Sequence, residues 1–103
     1  MEIPIACTLE AGAAQQRVDR WRQVLSMAVA RTERVTPGRL FCGLKADLAD
    51  LQALVFLAQE EKACCPFFSF SLEIDADSLT LVVEVPDDAV TVLDQFAALT
   101  GPA

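Results

Sequence analysis

Cys64 and Cys65 stand side by side where an apolar helical pattern runs into Pro66. Paired thiols are soft-metal chemistry: Hg(II), As(III), Cd(II) and Cu(I) favour thiolate ligands, and zinc accepts them as well. Adjacent cysteines can share one ion only where the backbone splays their side chains, and a break between helix and strand is such a place. Proline pushes the preceding residue out of the α region, so Cys65 is expected to leave the helix that Cys64 closes. Cys42 is the natural third ligand, because the strand carrying it precedes that helix. Cys7 could supply a fourth only from a neighbouring strand.

Other chemistries are thin. The chain has no histidine, which removes Ser-His-Asp and Cys-His nucleophiles and every His-ligated metal site. The C-C spacing lacks the C-x-x-C signature of thiol–disulfide exchange, so redox chemistry is a lesser alternative. Carboxylates pair at Glu60/Glu61, Asp75/Asp77 and Asp87/Asp88, all in stretches that read as wet, turn-like or capping. None shows the burial that tunes a carboxylic acid for proton transfer. The glycines are scattered and form no phosphate loop. Plain packing competes with metal binding for every cysteine, since a thiol behaves as a small hydrophobe.

The elements that must position these sulfurs follow from periodicity. Residues 3–9 alternate, with Ile3, Ile5, Cys7 and Leu9 on one face, which predicts an edge strand. Residues 10–30 turn helical, with Val18, Trp21, Leu25 and Ala28 on one stripe. Residues 31–45 read as a polar turn and then a strand, in which Leu40, Cys42 and Leu44 share a face. Asp47 is the expected N-cap of the next helix, with Asp50 in its first turn. That helix carries Leu48, Leu51, Val55 and Ala58 as its stripe, widened by Leu54, Phe56 and Leu57, and Glu60, Glu61 and Lys62 as its wet end. Residues 67–74 and 79–85 alternate about the turn 75–78 and predict a β-hairpin. A last helix over 89–99 is expected to bury Val92 or Val90, with Leu93, Phe96 and Leu99.

The expected order is β-α-β-α-β-β-α. One apolar face per strand and one stripe per helix imply a two-layer α+β sandwich, a four-stranded mainly antiparallel or mixed sheet with three helices on one face. At 103 residues, 53% hydrophobic and 22% charged, residues 1–103 suit a single domain and exclude a disordered chain. No apolar run reaches the roughly 18 residues of a membrane span. The start lacks the basic and apolar regions of a signal peptide, so a cytoplasmic protein with reduced thiols is expected. Fifteen acidic against eight basic residues give a net charge of −7, which disfavours nucleic acid and anionic membranes as partners. A homodimer is an alternative, through an outer-face patch of Phe41, Phe67 and Val82.

The stretch Glu60-Glu61-Lys62-Ala63-Cys64-Cys65-Pro66-Phe67-Phe68-Ser69-Phe70 resembles a group of small, largely uncharacterised bacterial proteins. These carry a Glu-x-x-Cys-Cys-Pro-Phe-Phe-type motif followed by a hairpin and a closing helix, and some occur beside MerR-type heavy-metal regulators. The resemblance extends over roughly residues 37–99, with Cys-Cys-Pro-Phe its distinctive part. It implies that Cys64 and Cys65 are the functional pair and leaves Cys42 and Cys7 outside the motif. The resulting expectation is a non-enzymatic cytoplasmic protein that binds a mercury- or arsenic-type ion through Cys64, Cys65 and Cys42. One alternative is an interaction or dimerisation module with purely structural cysteines. Another is a thiol-dependent enzyme acting on organometallic substrates.

Overall fold

The computed structural model describes residues 11–45, 47–64 and 67–100. The elements are α1 (Ala11–Ala28), β1 (Val29–Thr36), β2 (Arg39–Leu44), α2 (Leu48–Cys64), β3 (Ser69–Ile74), β4 (Leu79–Glu84), a 3-10 turn (Asp87–Ala89) and α3 (Val90–Leu99). The sheet is antiparallel throughout, in the order β1-β2-β4-β3. Among the described residues the architecture is α+β, with three helices against one face of a four-stranded sheet. The strand expected over residues 3–9, Cys7 included, lies outside the described residues.

Among the described residues the sheet has a strand, β1, that the sequence presents as a helix end running into a polar turn. Only Val29 of its eight residues is buried. A strand at the sheet edge with both sides wet needs no apolar alternation, so periodicity could not reveal it. It is held by β2, reached through a tight turn at Pro37-Gly38. Arg34 secures the turn by donating to the Pro37 carbonyl at 2.6 Å and to Asp94 of α3 at 2.7 Å. Gly38 is required there: a Cβ would stand 2.7 Å from the Val85 carbonyl oxygen, and the Val85 N–H donates to the Gly38 oxygen at 2.9 Å.

The other elements follow their sequence signals. Val18, Trp21, Leu25 and Ala28 of α1 are buried, as their spacing demands. Asp47 caps α2, its Oδ1 accepting from the Ala49 and Asp50 amides at 2.9 and 3.2 Å. In the β3–β4 hairpin Ile74 lies opposite Leu79 and Phe70 opposite Val83, and the Asp75 N–H donates to the Ser78 carbonyl across the turn. Val92, Leu93 and Phe96 of α3 are buried. The core joins these to Leu40 and Cys42 of β2 and to Leu81 and Val83 of β4. Each large side chain so buried contributes about 1.5–3 kcal/mol relative to exposure.

Two faces differ from expectation. The buried side of α2 is Leu54, Leu57 and Glu61, whereas Leu48, Val55 and Phe56 are exposed. A helix apolar almost all round carries no periodic signal for which side faces inward, and packing against α1 decides it. On the outer sheet face Val82 is enclosed, lying opposite Phe41 and Ser71. The Phe41 ring is capped by Arg39, whose guanidinium stands 5.3 Å from its centroid. Phe67 packs on the helix side, stacked on Phe68 at 6.3 Å. The most exposed large apolar side chains are instead Leu48 and Phe56 of α2 and Ile74 of β3, the last 75% exposed.

Candidate functional site

The chemistry gathers where α1 and α2 cross antiparallel near the end of α2. Leu54, Leu57, Glu61 and Cys64 recur at three- and four-residue spacing, which lays them along one face of the helix. The first two join the hydrocarbon core; the third brings a carboxylate. Glu61 has no exposed surface, and burying an ionisable group without partners is costly. Its partners come from α1. The Trp21 Nε1–H donates to Glu61 Oε1 at 3.0 Å, and Arg17 Nη1 reaches the same oxygen at 3.4 Å. Glu61 Oε2 is buried with no hydrogen-bond partner among the described residues.

Arg17 ties this carboxylate to the thiol. Its Nη2 lies 3.9 Å from Cys64 Sγ, while its Nε approaches Glu60 at 3.7 Å. Arg20 adds a second cation near Glu60 at 3.6 Å and lies over the Phe56 ring at 5.8 Å. Desolvation raises the Glu61 carboxyl above its ordinary range; the Trp21 hydrogen bond and the Arg17 guanidinium pull it partly back, and Glu60 pushes it up again. An aromatic wall closes the inner side. Trp21 stacks on Phe70 at 5.8 Å and meets Phe96 edge-on at 5.0 Å, and Phe68 stacks on Phe70 at 5.4 Å.

The sulfurs expected to act together are placed as follows. Cys64 is the last residue of α2 and half-buried. Cys65 and Cys7 lie outside the described residues. Cys42 lies in the core, opposite Leu81 of β4 and Thr32 of β1, with no exposed surface. Burial pushes its thiol up to about 12. Among the described residues no three cysteine, aspartate or glutamate side chains form a group that could hold a metal ion. Nor is any described helix long and apolar enough to cross a membrane.

Cys42 is expected to resist alkylation until the fold opens. A short N-ethylmaleimide pulse followed by peptide mapping should leave Cys42 unmodified in native protein and label it in denaturant, because the thiolate is the reacting form and must be reachable. Native labelling as fast as at Cys64 would mean that the core is open to ligands at β2.

Sequence reasoning placed Glu61 at a wet helix end and Trp21 on the apolar stripe of its helix, and it gave Arg17 no role beside either. The available signal was spacing: Glu61 sits four residues after Leu57 and seven after Leu54, on the line that a buried face would take. Fold and site together define a small α+β domain with a thiol and a buried carboxylate bridged by one guanidinium. No protein-family model, curated protein or solved structure matches the chain.

Proposed function

We propose that this chain is a non-enzymatic, cytoplasmic soft-metal-binding protein that takes up a mercury- or arsenic-type ion at Cys64 and Cys65. The observation that carries the reading is the Arg17–Cys64 contact of 3.9 Å at the half-buried end of α2, with a second cysteine next in the chain. A soft ion is held by sulfur, and a guanidinium beside the sulfur offsets the negative charge that thiolate ligands bring. Neighbouring hydrocarbon keeps water from competing. The resemblance of residues 60–70 to proteins found beside heavy-metal regulators points the same way. In this reading Cys42 packs the core, because an ion would have to enter hydrocarbon to reach it.

Titration of the reduced protein with Hg(II), followed by thiolate charge-transfer absorbance, tests the assignment. Stoichiometric uptake in the native chain and its loss in Cys64→Ser are expected. Weak binding that this substitution leaves unchanged, together with lowered stability, would instead support the second reading, a small interaction module whose cysteines only pack. The complete burial of Cys42 favours that second reading at its own position. Turnover of a carbon–mercury bond would move the protein into the enzyme class.

A further inference from the structure

A cleft of about 450 Å³ opens between α2 and the edge strand β3. It exists because α2 packs toward α1 and leaves the core side of β3 partly uncovered: Leu72 is 37% exposed and Val55, across from it, 46%. The apolar wall is Val55, Ala58, Phe70 and Leu72, and Ser69 and Ser71 of β3 also line it. Such a volume is ordinary for a small-molecule site, and an apolar lining with few polar groups is the usual composition.

Charge then selects the ligand. The chain carries fifteen carboxylates against eight cationic side chains, yet Lys62 is the one charged side chain among the described residues lining this cleft. Val55, Ala58, Gln59 and Lys62 recur at three- and four-residue spacing along one face of α2, about 10 Å from end to end. The ammonium is thus at one end of an apolar trough on an otherwise acidic protein. We propose that the cleft binds a small amphipathic anion, a carboxylate on an unbranched hydrocarbon body, with the headgroup on Lys62 and the body between Val55 and Leu72. Gln59, one turn before Lys62, supplies an amide donor to the same headgroup. Amines of equal length are rejected because an ammonium would face Lys62. The inference does not depend on the thiol site, since it uses none of the cysteines.

Calorimetric titration of the full chain with octanoate, octylamine and octanol tests it. Saturable one-to-one binding of octanoate is expected, with affinity rising about fourfold per methylene from hexanoate to octanoate. Octylamine should not bind measurably. Lys62 is exposed, so Lys62→Gln leaves the fold intact and should weaken octanoate about fivefold while leaving octanol unchanged. Equal binding of octylamine and octanoate, or no effect of Lys62→Gln, would overturn the proposal in favour of unselective apolar contact. Failure of octanoate to bind a chain that sediments as a dimer would overturn it in favour of a face that seats a second copy.

Discussion

Trp21→Ala is expected to destabilise the protein by about 3–5 kcal/mol. Trp21 has no exposed surface and touches three elements at once: Phe70 of β3 by stacking, Phe96 of α3 edge-on and Glu61 of α2 by hydrogen bond. Truncation leaves a cavity among rings that cannot collapse, because Phe68, Phe70 and Phe96 also pack on one another. It also removes the better of the two bonds to the buried carboxylate. Trp21→Phe separates these effects. It keeps most of the ring contact and loses the N–H, so about 1–3 kcal/mol is expected from the lost hydrogen bond alone, with Arg17 still reaching that oxygen at 3.4 Å. Denaturant unfolding of the two variants measures both terms. A loss below about 1 kcal/mol for the alanine variant would mean that α1 does not rest on this aromatic wall.

Arg17→Gln should be nearly as damaging at neutral pH, at about 3–5 kcal/mol, because it strips the cation from a buried carboxylate. Glu61 can escape that cost by taking a proton, so the loss should shrink in acid. The sign follows from linkage. A carboxyl raised in the native state above its ordinary value of 4.5 keeps a proton that the unfolded chain has released. Its contribution to stability is therefore fully present below about 4.5 and declines as pH climbs through the native value. Two of the effects that pull the native value back down come from Arg17, so removing it extends the decline to higher pH. Glu61→Gln carries no titrating group and should flatten the profile, while its amide oxygen can still accept from Trp21. Unfolding midpoints of the native chain, Arg17→Gln and Glu61→Gln measured from acid to neutral pH test this. Parallel profiles for all three would show that Glu61 does not titrate with folding.

These two expectations rest on contacts that the sequence left unmarked. Trp21 was legible as a core residue, since Val18, Trp21, Leu25 and Ala28 repeat with the helical period and the outcome is the buried stripe of α1. Its indole N–H had no visible acceptor, because the acceptor lies forty residues away on α2. Glu61 sits between Glu60 and Lys62, and composition alone assigns such a run to solvent. Its spacing from Leu54 and Leu57 was compatible with burial, but a helix whose apolar residues are spread around its axis does not announce which of its lines faces inward. Strand β1 was hidden for the opposite reason: it is polar on both sides and owes its form to backbone pairing with β2.

What the sequence determined by itself was whatever short-range physics dictates. That covers the α1 stripe, the Asp47 cap, the alternation of the 69–84 hairpin and hence the α+β class. Tertiary structure alone decided which face of α2 is buried, that Arg17 bridges Glu61 and Cys64, and that β3 is left with an open flank. The reason is one of range. Periodicity, capping and turn chemistry act within a few residues, whereas burial of a charge and the opening of a cleft depend on which distant side chains arrive to cover them.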